Sequence, residues 1–311
     1  MPTIKKSVEF SGVGIHSGLP VRMVVKPSKR HGIFFRRVDL GKNLISAKFD
    51  NVGDTKMRNT TVGDINAAHV KTIEHFMAAM FMAGIDSAIV EIDGPETPIL
   101  DGSAIEFYKT ISGAGVTGGK MKRIVVRRPV YVSAREVFQS LPFMLRAKIW
   151  FMNLLSGCTT DGFVKLTPSE KKSLNISATL VYHEKIIGYQ NFSYSYDGTK
   201  KSVQDFVKNI ARARTFGKYS EWEYLKKHGM ARGANENNVI ALNSNGDGTL
   251  NKTFWPDEFV RHKIIDAIGD MFTSSGFIIG NLESYKGSHA MNNMVLKKLF
   301  SNPDNYDIID A

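Results

Sequence analysis

Histidine and aspartate recur every four residues in one late stretch, Asp257-Glu-Phe-Val-Arg-His-Lys-Ile-Ile-Asp-Ala-Ile-Gly-Asp270. On a helix, residues four apart share a face, so His262, Asp266 and Asp270 stand in one column. Phe259, Ile265 and Ala267 flank that column, and a polar column hemmed by apolar neighbours is costly unless something satisfies it. A metal ion does so, because His and Asp one turn apart can bind the same cation. A lone HxxxD pair is more commonly a surface ion pair, so the rest of the chain must supply the remaining parts. A tetrahedral hydrolytic site needs three protein ligands and leaves its fourth position to water. Thr72-Ile-Glu-His75 offers a further ligand with a carboxylate beside it that could take a proton from water. His289, in Lys286-Gly-Ser-His-Ala290, could serve as an acid. Spacing alone does not prove that sites so far apart converge.

The elements that must position these residues follow from pattern and punctuation. Asp257 reads as the N-cap of the late helix, Glu258 suits its first turn, and Gly276 reads as its stop. Glu74 and His75 open a helix read over Lys71–Ala83 and ended by Gly84, with Ile73, Phe76, Met77, Met80 and Met82 as core. Strands are expected over Ser7–Phe10, Val21–Val25, Ile33–Arg37, Leu44–Phe49 and Ser87–Ile92, and a turn at Asp101–Ser103 leads into a helix through Ile111. The glycine-rich run from Gly113 to Gly119 is the best boundary, giving domains 1–117 and 118–311. Beyond it, strands are read in Arg123–Ser133, Asn175–Tyr182, Gln190–Tyr194, Val239–Leu242 and Phe277–Leu282. Helices are read over Val203–Ala213, Glu221–Lys227 and Met291–Phe300. Strands and helices mix without strict alternation, which is α+β: two domains, each a two-layer sheet-and-helix sandwich. Gly12-Val-Gly-Ile-His-Ser-Gly18 lacks nucleotide-cradle spacing and reads as a shaped loop, with His16 packed in it. The stretch Arg135–Asp161 is rich in large apolar residues, with Arg146 and Lys148 interspersed. It is too short and too charged to span a bilayer. A loop or hairpin packed on the domain is expected there, with an interfacial helix as the alternative.

The chain has 311 residues, 42% apolar and 23% charged, normal for a globular protein long enough for two cores. Its net charge of +11 points to an anionic partner: a nucleic acid, an anionic membrane surface or a phosphorylated substrate. Cys158 is the single cysteine, which excludes an internal disulfide framework and fits a reducing cytoplasm. The opening Met-Pro-Thr-Ile-Lys-Lys has no apolar signal core, and no run reaches the ~18 apolar residues of a membrane span. A cytoplasmic protein is expected.

Five ordered motifs carry a resemblance: Thr72-Ile-Glu-His75, Pro98-Ile-Leu-Asp-Gly-Ser103, Ala213-Arg-Thr-Phe-Gly217, Phe259 to Asp270, and Ser288-His-Ala-Met-Asn-Asn293. Together they closely resemble the UDP-3-O-acyl-N-acetylglucosamine deacetylase family, which makes the committed step of lipid A synthesis in Gram-negative bacteria. Gly12–Gly18 also matches, so the resemblance covers nearly the whole chain. It implies an active site between the two domains, with zinc held by His75, His262 and Asp266. Glu74 would be the general base, His289 the acid that protonates the leaving amine, and Asp270 the group that orients and charges His289. Thr215 would help to stabilise the oxyanion. Lys263 and Phe216 would contact the substrate, and a segment at 218–239, with Tyr219, Trp222 and Leu225, would form an apolar passage for the acyl chain.

Two departures stand out. The family shows a short turn where this chain carries Arg135–Asp161, and Glu184-Lys185 stands where members often have His-Pro. All the catalytic positions are intact. The resulting expectation is a zinc amide hydrolase, monomeric and cytoplasmic, that acts on a UDP-linked acylated amino sugar and touches the inner-membrane surface peripherally. The alternatives are a non-catalytic glycolipid-binding relative, disfavoured by the intact residues, and a nucleic-acid-binding protein, disfavoured because the basic residues are dispersed. An Fe(II) enzyme on the same ligands is the third; the acid–base pair favours hydrolysis over oxygen chemistry.

Overall fold

The structure, a computed structural model, describes all residues except 42, 54–58, 142–145, 147–160 and 310–311. The first half runs β1 (Thr3–Ile4), β2 (Val8–Val13), β3 (Pro20–Pro27), β4 (Gly32–Arg37) and β5 (Leu44–Ser46). A small ribbon follows, β6 (Val62–Gly63) with β7 (His69–Val70), then α1 (Glu74–Met82), β8 (Ser87–Ile92), α2 (Ile105–Gly113) and β9 (Val116–Thr117). In β3, Val21, Met23 and Val25 are buried while Arg22 is exposed and Val24 and Lys26 are half-buried, the period-2 pattern of a sheet with one covered face. β8 is the central strand. It takes β4 in parallel on one side, and antiparallel β3 and parallel β1 end to end on the other.

The second half repeats this plan. It comprises β10 (Arg123–Val126), β11 (Val130–Ser133), α3 (Ala134–Ser140), β12 (Phe163–Thr167), β13 (Leu174–Val181) and β14 (Tyr189–Tyr196). Then come α4 (Lys200–Asn209), β15 (Phe216–Lys218), α5 (Tyr219–Lys227), β16 (Ile240–Leu242), α6 (Glu258–Phe272), β17 (Phe277–Tyr285), α7 (His289–Phe300) and β18 (Tyr306–Ile309). Here β17 is central, with β13 parallel on one side and antiparallel β12 and parallel β10 sharing the other. The expected α+β class with sheet-and-helix layers is what the chain forms. Most of the Arg135–Asp161 expectation lies outside the described residues. Its described opening is helical rather than a loop or hairpin: Ser133 Oγ accepts from the Glu136 N–H at 3.2 Å while the Glu136 carboxylate accepts from the Ser133 N–H at 3.1 Å, a capping box.

Two helices lie at the seam. All nine residues of α1 are buried, and thirteen of the fifteen in α6, so neither has a solvent face. Phe76 of α1 meets Phe35 of β4 and Phe107 of α2, whereas Phe81 meets Phe272 of α6 and Phe277 of β17. The methionines expected as core, Met77, Met80 and Met82, are all buried. Gly269 permits the close approach of the pair: a Cβ there would sit 2.0 Å from the carbonyl oxygen of Glu74. Two details of α6 depart from the sequence reading. The Asp257 side chain does not cap the helix; its carboxylate instead accepts from Arg261 at 2.7 and 3.0 Å. The helix ends at Phe272, and the left-handed residue after it is Ser275, not Gly276. Glu258 is fully buried, where it accepts from Arg214 and from the Phe254 N–H.

Candidate active site

Local sequence explains how each polar side chain reaches the seam. Thr72, just before α1, sits in the left-handed region at φ 57°, a strained state for a β-branched residue. It is held there by its hydroxyl, which donates to buried Glu96 at 2.8 Å, and by its carbonyl, which accepts from Thr97 Oγ1 at 2.5 Å. The chain then enters α1 directly at Glu74 and His75. Glu96 also accepts the backbone N–H groups of His16 and Ser17, which pins the glycine loop beside the site. The Pro98–Ser103 motif is a tight turn with Leu100 at φ 53° and Gly102 at φ 83°. A Cβ on Gly102 would meet Asn238 O at 1.9 Å, and the Gly102 carbonyl accepts the Thr215 N–H at 2.9 Å. That turn therefore fixes the segment from Ala213 to Gly217.

His262 and Asp266 come together as the helical column requires, and α1 brings His75 to them. His262 Nε2 lies 3.4 Å and His75 Nε2 3.6 Å from Asp266 Oδ1, with the imidazole rings edge to face at 4.8 Å. His262 Nδ1 donates to the Ala213 carbonyl at 3.0 Å, which leaves the Nε2 lone pair facing the cluster. Burial pulls the His262 pKa down to about 3, so the ring is neutral. Asp266 Oδ1 is buried without a hydrogen-bond donor, while Oδ2 accepts from Lys263 Nζ at 2.8 Å. Despite burial, the Lys263 charge holds the Asp266 pKa well below the usual carboxylate range. Two imidazole nitrogens and an unpartnered carboxylate oxygen, mutually within 4.8 Å, are a donor set that a divalent cation fits.

Glu74 is 3% exposed, and burial raises its pKa. Its Oε2 accepts the Thr60 N–H at 3.0 Å. His289 Nδ1 donates to Asp270 Oδ2 at 2.8 Å, while Nε2 lies 3.9 Å from Asp266 Oδ2. Burial disfavours the imidazolium, but the Asp270 charge and hydrogen bond prevail and lift the His289 pKa to about 9. Asp270 also accepts from Asn292 Nδ2 at 2.9 Å and from Thr60 Oγ1 at 2.5 Å.

One cleft is lined by Glu74, His75, Thr215, Phe216, His262, Lys263, Asp266 and His289, and its apolar end by Ile15, Ile99, Trp222, Leu225, Ala231 and Val239. Phe216 packs edge-on to Phe259 at 5.1 Å, with Lys263 Nζ 5.5 Å from its ring. His16 also lines the cleft. Tyr219 does not; it is 47% exposed and packs on Trp222, ring centroids 5.1 Å apart. Glu184 joins Lys218 in an ion pair at the edge of this region. The sequence reading assigned no role to Thr60 or Asn292. Asn292 had a signal, since it stands three residues after His289 on one helix. Thr60 had none, because its partners are 14 and 210 residues away.

A profile of the UDP-3-O-acyl N-acetylglycosamine deacetylase family matches residues 1–301. The UDP-3-O-acyl-N-acetylglucosamine deacetylase of a Nitratiruptor species is 35% identical over 99% of this chain and 93% of its own length. The protein of that name from Myxococcus xanthus is 35% identical over 99% of this chain and 89% of its own, and that from Helicobacter pylori 34% over 99% and 94%.

Proposed function

The chain belongs to the UDP-3-O-acyl N-acetylglycosamine deacetylase family, and from that premise we infer that it hydrolyses the N-acetyl group of a UDP-linked, 3-O-acylated N-acetylglucosamine. The products are the free amine and acetate, a step of lipid A biosynthesis. The observation that carries this reading is the buried His75–His262–Asp266 group, with its donorless carboxylate oxygen, lining one cleft with a buried carboxyl and with the imidazole of an imidazole–carboxylate pair.

His75, His262 and Asp266 would hold the metal, and we propose zinc, since two imidazoles and one carboxylate with a place left for water are a hydrolytic zinc set; Fe(II) is the alternative occupant. When bound, the ion supplies Lewis acidity that polarises the amide carbonyl and lowers the pKa of water. Glu74 Oε2 is occupied by the Thr60 N–H, which fixes the carboxylate plane and leaves Oε1 to take the proton of the attacking water. His289, held protonated by Asp270, gives its Nε2 proton to the leaving nitrogen. Thr215 is proposed to donate to the oxyanion. Lys263 would meet polar or anionic substrate groups and Phe216 the sugar. Tyr219 and Trp222, within 218–239, would line the acyl passage, Trp222 from inside the cleft and Tyr219 at its outer edge.

We take residues 1–117 and 118–311 as the two domains, and the working form as a cytoplasmic monomer with peripheral contact at the inner membrane. Among the described residues no helix is long and apolar enough to cross a membrane. The net charge of +11 favours both a diphosphate substrate and an anionic surface. The test is elemental analysis of the purified protein combined with acetate release from the UDP-sugar, for the wild type and for His75→Ala, His262→Ala and Asp266→Ala. Full metal content in all three variants refutes the ligand assignment; a metal-loaded wild type that releases no acetate refutes the activity.

A further inference from the structure

Thr60 is 2% exposed, and each of its polar groups is engaged at the site. Its N–H donates to Glu74 Oε2 at 3.0 Å, its carbonyl accepts the Ile73 N–H at 3.3 Å, and its hydroxyl donates to Asp270 Oδ1 at 2.5 Å. The hydroxyl oxygen also lies 3.3 Å from His289 Nδ1. Glu74 comes from α1 and Asp270 from α6, and Thr60 belongs to neither helix.

We propose that Thr60 is a positioning residue that clamps the general base and the acid's carboxylate to one another across the seam. The backbone N–H fixes the plane of Glu74. The hydroxyl completes a set of three donors on Asp270, with His289 Nδ1 and Asn292 Nδ2. A carboxylate with three donors cannot rotate without losing one of them, so the direction of His289 Nε2 is set relative to Glu74. The two groups act on one amide, the base on the water and the acid on the leaving nitrogen. Their mutual placement is therefore a requirement of catalysis rather than of substrate binding. This inference rests on the assignment of Glu74 and His289 given above.

Side chain and backbone can be tested apart. Thr60→Val keeps the N–H to Glu74 and the branched shape but removes the donor to Asp270; Thr60→Ser restores it. A hydrogen bond to a charged group corresponds to about 10- to 100-fold in rate. Thr60→Val should thus lower kcat by about that factor, with KM within about threefold and metal content unchanged, and Thr60→Ser should recover most of kcat. Thr60→Ala, which sets no methyl against the carboxylate, gives the same reading if Val does not fold. Wild-type kcat in Thr60→Val or in Thr60→Ala overturns the clamp, as does a Ser variant no better than the Val or Ala variant it is compared with. A loss of kcat that tracks metal loss also overturns it, since the role is then structural. Glu74→Gln and His289→Gln run alongside separate the two failures. If they retain activity the base and acid assignment falls; if they lose it while Thr60→Val does not, only the clamp falls.

Discussion

Gly269→Ala should disable the site at a cost in stability of only about 0–2 kcal/mol. The added Cβ would sit 2.0 Å from the Glu74 carbonyl oxygen, 2.7 Å from its carbonyl carbon and 2.9 Å from its Cα. All three are backbone atoms of α1, so no side chain can swing aside. Restoring an ordinary contact of about 3.4 Å requires α1 and α6 to part by about 1.4 Å. Overpacking of this kind costs about 1–3 kcal/mol, but alanine in a helix interior recovers about 1 kcal/mol over glycine. The net change is therefore about 0–2 kcal/mol, a Tm shift of a few degrees at most. The site is far less tolerant. His75 and Glu74 ride on α1 while His262 and Asp266 ride on α6, and a 1 Å misplacement costs about 100-fold in rate. The assay pairs thermal unfolding with metal content after dialysis and with kcat. Gly113→Ala is the control, because nothing lies within 4 Å of a Cβ there. Full metal content with wild-type kcat in Gly269→Ala would refute the claim that this contact sets the ligand geometry.

Activity should follow a bell in pH. As the proposed base Glu74 must be ionised, and its raised pKa places the acidic limb above the ordinary carboxylate range; as the proposed acid His289 must be protonated, and its pKa of about 9 places the basic limb there, with a bound cation moving both limbs lower. Asp270→Asn should bring the basic limb down towards ordinary histidine, and an unmoved limb would show that Asp270 does not charge the imidazole. Glu258→Ala should cost about 3–5 kcal/mol in chemical denaturation, because it strands buried Arg214; a loss under about 1 kcal/mol would mean that water reaches the guanidinium. Replacing residues 142–160 by a short Gly-Asp turn should preserve kcat and metal content, since none of the proposed catalytic or metal-binding residues falls in that stretch, and should reduce sedimentation with anionic vesicles. Lost kcat with the metal retained would tie that segment to the cleft.

The site was legible where it obeyed a period. His262, Asp266 and Asp270 could be read as one face because the helix repeats every 3.6 residues, and their apolar flanks marked that face as buried. Fold class was legible for the same reason, from strands of period 2 interleaved with helices. What could not be read was set by tertiary approach. Asp257 has the residue type of a cap, yet Arg261 one turn on takes its carboxylate. Glu258 looked like a favourable first-turn charge, but its energetics come from Arg214, 44 residues away. Thr60 carries no local pattern at all. Gly269 did carry a signal: glycine in a helix interior costs about 1 kcal/mol against alanine, so its presence there marks a backbone approach.

The same seam accounts for why the proposed ligands come from two helices rather than one. A single helix can offer His262 and Asp266 from adjacent turns, but a third ligand on that helix would lie another turn away along the axis, too far to share one ion. The third must come from a neighbour, and side chains as short as histidine and aspartate require that neighbour to be close. A glycine against the backbone of α1 gives that closeness. The ordering of α1 is then what matters, and it is secured before the helix begins, by Thr72 on Glu96 and by Thr60 on Glu74. Ligand atoms of His75, His262 and Asp266 converge within 4.8 Å, and Asp266 Oδ1 is buried there without a hydrogen-bond donor. Such convergence is electrostatically unfavourable until a cation lies among them. The cation should therefore stabilise the fold in proportion to the logarithm of its free concentration. Chelation should lower Tm in the wild type and leave it unchanged in His262→Ala, where the convergence has been removed.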